Sequence, residues 1–331
     1  MKTIIPLAGK GTRLRPHTHL TPKPLLKVGG RPVMSYILDD LIELGVREVV
    51  FIVGYLGDVI REYIAKEYPQ IEAHYVVQQV QDGTAGAIKL AEPWADQELL
   101  ILFVDTLFDA DLNLAKTLPK EFAGVIWAKE VEDYQRFGVI VTRPDQTMER
   151  IVEKPKTPIS KLANIGLYFI RDSKLLFEGI NHVLESPQNG GEYYLTDAFQ
   201  YMVDKGAKLL VAPVEGWYDC GKPDTLLETN RHLLTTGRGG IAAGAEVTGA
   251  EVVEPVRIEE GVVVRGGRIG PNVTLGKGSR VVDSRLRDTI VGNQSVLERV
   301  DLHDSLVGAD VQAKGLKGSV SLGDHSEVIA E

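Results

Sequence analysis

One cysteine, Cys220, stands in the 331 residues, so no disulfide can form within the chain and a reducing cytoplasm is the expected setting. Long apolar runs are absent too, none approaching the roughly 20 residues of a membrane span, so no membrane partner is expected. The opening "MKTIIPLAG" reads at once as a strand, and no secretory leader is expected. Positive charge is in deficit: 37 Lys and Arg face 46 Asp and Glu, a net charge of −9. That balance argues against a nucleic-acid surface and leaves local basic residues for small anions. The seven histidines are dispersed without metal-ligand spacing. What is present, 44% apolar and 25% charged residues, describes a globular chain long enough for two domains.

Apolar runs alternate with helical patterns through the first half. "TIIPLAG", "REVVFIVG", "HYVVQQ" and "ELLILFVD" read as strands. Between them "RPVMSYILDDLIELG" carries Ile37, Leu41 and Leu44 at helical spacing, and further helices are predicted over 57–68 and 84–94. This rhythm implies an α/β domain with a doubly wound, mostly parallel, Rossmann-like sheet, whose ligands sit beyond the carboxyl ends of the strands. From about residue 123 the strands shorten ("AGVIWAK", "FGVIVT", "MERIVEK", "NIGLYFI"), predicting an inserted or mixed β region. Helices are predicted again near 192–205 and 223–236, so residues 1–236 read as one domain.

After "TTGRGG" helical periodicity disappears. Apolar-Gly pairs recur at 269–270, 275–276, 291–292, 307–308 and 322–323, and apolar residues often return six apart. Residues 241–331 therefore read as a short parallel β-helix, with a β-meander as the plainer alternative.

The densest stretch is "PLAGKGTRLRPHTHLTPKPLL", residues 6–26. It is not a dinucleotide fingerprint, because Leu14 occupies the third glycine position and Val53 and Gly54 end the second strand where an acid is required. Nor does it supply Walker spacing. Prolines 16, 22 and 24 forbid a long helix, so the segment is a stiff loop. Exposed amides of Gly9, Gly11 and Thr12 suit an anion nest, and Arg13 and Lys23 add fixed charge. Together they point to a polyphosphate.

With "GKGTRLRP…TPKPLL" in view, the chain resembles the sugar nucleotidyltransferases, or nucleotide-sugar pyrophosphorylases, and is most similar to the glucose-1-phosphate uridylyl- and thymidylyltransferases. The resemblance runs across residues 1–236. It implies an enzyme in which a sugar 1-phosphate oxygen attacks the α-phosphorus of a nucleoside triphosphate and releases pyrophosphate, a reaction that rests on alignment and charge neutralisation. By resemblance Arg13 holds the triphosphate and steadies the leaving group, and Lys23 reaches the α-phosphate and the sugar phosphate. Mg²⁺ is the implied cofactor, with Asp105 of "LLILFVDTLF" and Asp219 of "EGWYDCG" as its ligands and catalytic acids. Val104 departs from the family, which usually has glycine there.

The family's Gln-then-Gly segment is matched by "VVQQVQDGTAGAI", which nominates Gln78, Gly83 and Thr84 for the base and ribose, with the backbone of Leu7 and Ala8. A glutamine amide suits the N3–H and O4 edge of uracil or thymine. Adjacent Gln79 is a rival, and strand alternation puts the two on opposite faces. "FGVI", "IVEKP" and "ANIGLYF" resemble hexose-binding segments and nominate Gly138, Glu153, Lys154 and Asn164, with Glu192 as an addition. UTP or dTTP with glucose 1-phosphate is the favoured pair. The alternatives are a GTP-dependent mannose-1-phosphate guanylyltransferase and a non-catalytic regulatory subunit of the same fold. Relatives with an acetyltransferase tail carry a longer left-handed β-helix, so this tail is expected to serve subunit contact in a homo-oligomer, or an effector, and His303 alone is weak support for a catalytic base.

Overall fold

The computed structural model describes residues 1–188 and 190–330; residue 331, the last of the predicted tail, lies outside them. Two compact units form, one of Met1–Gly9 with Ile37–Trp217, the other of Lys10–Tyr36 with Tyr218–Glu331.

The first unit is built on a nine-stranded sheet: β1 (Lys2–Pro6), β2 (Glu48–Val53), β3 (Glu72–Val77), β4 (Leu99–Leu102), β5 (Gly124–Glu130), β6 (Gly138–Thr142), β7 (Met148–Glu153), β8 (Leu162–Ile170) and β9 (Leu209–Pro213). Its order is β7-β6-β8-β4-β1-β2-β3, with β5 on β8 and β9 on β5. The β4-β1-β2-β3 half is parallel, as the strand-helix rhythm implied. The β-rich insertion joins it antiparallel through β8, which pairs with β4, β5 and β6. The sheet is thus mixed. Val49–Val53 are all buried, the pattern of a central parallel strand covered on both faces.

Helices cover these strands. α1 (Val33–Glu43), α2 (Gly57–Glu67) and α3 (Thr84–Lys89) fall in the predicted segments, with α3 giving way to a 3₁₀ turn at Glu92–Trp94. α4 (Ser173–Leu184) was not predicted. Its signal is an Asp172 N-cap, whose carboxylate accepts from Leu175 N, followed by buried Leu176, Phe177, Ile180 and Val183 at helical spacing. α4 and α5 (Leu195–Asp204), the latter through Phe199, share one core with Ile4, Ile52, Ile101 and Ile126. Each large apolar side chain so buried contributes about 1.5–3 kcal/mol relative to exposure.

Because β1, β3 and β4 run parallel, their following residues emerge on one edge of the sheet. Those are Leu7–Gly9 after β1, Gln78 after β3, and Asp105 three residues beyond β4. The fold therefore sets these residues at the strand ends where α/β sheets bind ligands.

In the second unit, α6 (Pro223–Leu233) precedes a 13-stranded, all-parallel ladder. Paired residues such as Val264 and Val281, Leu286 and Leu302, and Ala313 and Val328 stand 17, 16 and 15 apart. One coil is therefore 15–17 residues, which fits a β-helix and not a meander, whose neighbours would be antiparallel. Val256, Val273, Val264, Val281 and Leu297 line its interior. Buried serines finish the turns: Ser295 Oγ donates to Gly308 O and accepts from Val311 N, and Ser284 Oγ accepts from Val300 N. These bonds satisfy buried backbone groups that water cannot reach.

Candidate active site

In the second unit the glycine loop is folded as a nest. Gly11 adopts φ +61°, the left-handed conformation open to glycine, and Thr12–Leu14 form a 3₁₀ turn behind it. Thr18, buried, donates its hydroxyl to Gly11 O at 2.8 Å. A Cβ placed on Gly11 would lie 3.0 Å from Thr18 Cγ2 and 3.2 Å from Lys23 Cβ, so nest, threonine and lysine stem are in contact. Lys23 begins a second 3₁₀ turn (Lys23–Leu25) after Pro22, and Pro24 is buried behind it. The prolines thus fix the lysine's base.

Arg13 and Lys23 converge on Gly221. A Cβ placed there would be 3.3 Å from Arg13 Nη2, 3.5 Å from Lys23 Nζ and 2.7 Å from Asp219 Oδ1. Asp219 Oδ1 accepts from Gly221 N at 2.7 Å, and its backbone carbonyl accepts from Thr229 of α6 at 3.0 Å. One guanidinium, one ammonium and one carboxylate thus close in on bare backbone, at a position where no side chain fits without moving Asp219. Such a set suits phosphate oxygens, and the hard oxygen of Asp219 suits a hard cation such as Mg²⁺.

In the first unit three nominated sugar-binding residues come together. A Cβ on Gly138 would fall 2.6 Å from Asn164 Nδ2, 2.8 Å from Glu153 Oε2 and 2.9 Å from Thr196 Cγ2. Asn164 Oδ1 accepts from Gly166 N and from the Tyr168 hydroxyl, which orients its amide nitrogen toward Gly138. Glu153 Oε2 accepts from Thr196 Oγ1 at 3.1 Å. A donor and an acceptor side by side over bare backbone match vicinal hydroxyls. Lys154 donates to the Tyr194 hydroxyl at 3.1 Å and stands 4.7 Å from that ring's centre. Thr196 and Tyr194 lie outside the sequence nominations, since "GEYYLTD" nominates only Glu192, which is exposed.

Burial raises the Glu153 carboxyl above its ordinary value, against the pull of the Thr196 hydroxyl and Lys154. The folded protein then holds this proton more tightly than the unfolded chain, so Glu153's contribution to stability is greatest below the ordinary carboxyl range and declines as pH rises through the raised value. Glu153→Gln is expected to gain melting temperature relative to the parent as pH rises above the ordinary carboxyl range. The same variant should raise KM for the sugar 1-phosphate about tenfold, the worth of about 1.4 kcal/mol in a charge-assisted hydrogen bond. Thermal melts across pH and sugar titrations check both, and parallel melting curves would refute the burial argument.

Asp105, half-buried, lies in the turn between β4 and Thr106–Asp109. Burial first, then the charges of Glu153 and Asp105, hold the Tyr168 phenol well above its ordinary value. Gln78 is buried while Gln79 is exposed, although both lie just past the end of β3 and so outside the strand's alternation, and Gln78 Nε2 donates to Asp82 Oδ1 at 3.4 Å. Leu7 and Ala8 are buried, and Leu7 N already donates to Ile52 O. Gln81, passed over in the sequence, donates to Ala8 O at 2.6 Å. Gly83 has φ +123° and lies so close to the Tyr193 backbone that a Cβ would collide with it. Thr84 Oγ1 accepts from Leu195 N, so residues 82–85 are zipped to 193–195.

A further carboxylate-histidine group, Glu48, Glu72 and His74, has the closeness of a metal site. Lys2 Nζ lies 3.1 Å from Glu48 and 2.8 Å from Asp96, which supplies a cation already. Among the described residues no helix is long and apolar enough to cross a membrane.

The family model for nucleotidyl transferases matches residues 2–236. A UTP–glucose-1-phosphate uridylyltransferase of Haloferax volcanii is 30% identical over 238 residues, 70% of this chain and 96% of that protein. A glucose-1-phosphate thymidylyltransferase of Streptomyces antibioticus is 29% identical over 99% of both chains. A solved Bacillus anthracis chain, provisionally assigned as a glucose-1-phosphate thymidylyltransferase and holding sucrose, superposes with a TM-score of 0.62 at 26% identity, over 70% of this chain and 95% of its own. The chain belongs to the nucleotidyl transferase family and is a sugar-1-phosphate nucleotidyltransferase.

Proposed function

We propose that the enzyme joins UTP or dTTP to glucose 1-phosphate, giving the nucleotide sugar and pyrophosphate. The observation that carries this reading is the meeting of Arg13 Nη2, Lys23 Nζ and Asp219 Oδ1 around the bare backbone of Gly221. Arg13 steadies the β- and γ-phosphates as they leave, and Lys23 neutralises the α-phosphate and the incoming sugar phosphate. Gly9, Gly11 and Thr12 offer amides to the triphosphate. Gln78, Gly83, Thr84 and the backbone of Leu7 and Ala8 receive the base and ribose. Gly138, Glu153, Lys154 and Asn164 hold the hexose. Gln78 favours a pyrimidine with an N3–H, and the names of the Haloferax and Streptomyces relatives favour glucose 1-phosphate.

This family generally uses a divalent metal. Mg²⁺ is the ion proposed, with Asp105 and Asp219 as its ligands; when bound it neutralises charge on the phosphates. In this reading residues 1–236 are the catalytic domain and 241–331 a short left-handed β-helix. That tail serves assembly of a cytoplasmic homo-oligomer.

The test is pyrophosphate release from five nucleoside triphosphates against several hexose 1-phosphates, with and without Mg²⁺. The greatest kcat/KM is expected with UTP or dTTP and glucose 1-phosphate, and none without the ion. Preference for GTP and mannose 1-phosphate would overturn the substrate assignment; no turnover in any pair would overturn the catalytic one. Uracil and thymine differ by one methyl, about 1–3 kcal/mol of discrimination, so both are expected to react.

A further inference from the structure

The loop that carries Arg13 and Lys23 lies in the same compact unit as the β-helix, and its polar contacts there are specific. His17, buried, has Nε2 3.0 Å from Ser321 Oγ. Thr21 Oγ1 donates to Asp324 Oδ2 at 3.0 Å. Lys27 Nζ donates to Asn293 Oδ1 at 3.1 Å and lies 3.8 Å from Glu259. Pro16 meets Gly323 closely enough that a Cβ on the glycine would stand 3.0 Å from it. Further along, Gly29 N donates to buried Asn230 Oδ1, which also accepts from Thr274 of the coils. Between loop and coils is a cavity of about 190 Å³ bordered by His17, Thr21, Lys27, Asn293 and Asp324.

These contacts bracket the two cations. His17 and Thr21 flank Thr18, which supports the Gly11 nest, and Thr21 and Lys27 flank Lys23. The loop's own backbone bonds are short-range, closing turns such as Leu14 N to Gly11 O, His17 N to Leu14 O and Leu25 N to Pro22 O, so they shape each turn, and the long-range bonds to the coils set where the turns sit in the unit. We propose that the last coils of the β-helix hold the phosphate loop at its working geometry, making Ser321, Asp324 and Asn293 positioning residues for Arg13 and Lys23. This rests on the catalytic reading above, and it gives the tail a role in turnover besides assembly. The cations must meet the phosphates to within a fraction of an ångström, and a displacement near 1 Å can cost about 100-fold.

Asp324 is a poor place to cut, since its Oδ1 also accepts from Ala309 N inside the coils. The test works from the loop side in the full-length enzyme, with Thr21→Val and Lys27→Met combined. Valine keeps the threonine's shape without its hydroxyl, and methionine keeps the lysine's stem. Hydrogen exchange of the loop amides is expected to rise. kcat is expected to fall 10–100-fold, with KM for the sugar 1-phosphate within twofold of the parent and the melting temperature within a few degrees. Thr21→Ser, which keeps the hydroxyl, is expected to retain parental kcat and exchange.

Unchanged exchange overturns the proposal, as does faster exchange with unchanged kcat. A double variant that fails to fold is replaced by Thr21→Val alone, judged by the same two readouts. If the parent turns over no substrate pair, the catalytic reading has failed separately. The loop is then read by binding of inorganic pyrophosphate. Weakening of at least fivefold in the variant supports positioning, and equal affinity overturns it.

Discussion

Lys23→Ala is expected to lower turnover by about 10²–10³-fold while the melting temperature moves by no more than a few degrees. The lysine is half-buried, with Nζ 3.5 Å from where a Gly221 Cβ would stand and Arg13 Nη2 3.3 Å from the same point. Two cations near one point favour an anion between them, and Asp219 Oδ1 stands there. A triphosphate and a sugar phosphate bring several more negative charges, which redistribute as the bond to the α-phosphorus changes hands. A cation that meets the charge as it develops lowers the barrier more than it tightens the ground state. The loss should therefore fall on kcat, with KM for the triphosphate changing by less than tenfold. Arginine should rescue poorly, because a planar fork cannot replace a compact ammonium held between Pro22 and Pro24. Steady-state pyrophosphate release with both substrates varied decides the matter. A Lys23→Ala enzyme within threefold of the parent would remove Lys23 from the chemistry.

The sheet was legible because its parallel strands are apolar runs with turn residues at both ends, and Val49–Val53 could be placed nowhere but a covered strand. The helix at Ser173–Leu184 was not, since "SKLLFEGINHVL" follows directly on a strand and its Asp172 cap is one residue in a polar turn. The β-helix was legible through its spacing, which the 15–17-residue register reproduces. In the site, residues in contiguous motifs such as Arg13, Lys23 and Asp219 could be nominated, whereas Thr196, Tyr194 and Gln81 could not. Their roles depend on which strand or loop lies opposite, and that is set by long-range pairing. The attachment of Lys10–Tyr36 to the coils was invisible for the same reason. His17 and Thr21 find partners 304 and 303 residues away, through single polar bonds that leave no periodic trace.

Gly221→Ala tests the site with the smallest possible addition, one methyl group. Its backbone angles do not demand glycine, so alanine fits the folded backbone and restricts the unfolded chain, which favours folding by about 0.4–1 kcal/mol. The methyl carbon would start 2.7 Å from Asp219 Oδ1, too close for either to stay. The carboxylate can rotate away, since only the Gly221 N–H bond holds that oxygen among the bonds described, and this makes the substitution cheap for folding. It is costly for catalysis. A rotated Asp219 no longer faces the space that Arg13 and Lys23 border, and the methyl occupies part of that space at 3.3 and 3.5 Å from their nitrogens. Turnover is expected to drop about 100-fold, the order seen when reacting groups are displaced by about 1 Å. The Mg²⁺ concentration needed for half-maximal rate should rise, while KM for the sugar 1-phosphate, set over Gly138, stays within twofold. A variant with parental kcat and parental Mg²⁺ dependence would mean that the gap beside Asp219 is packing space and that phosphate binds elsewhere.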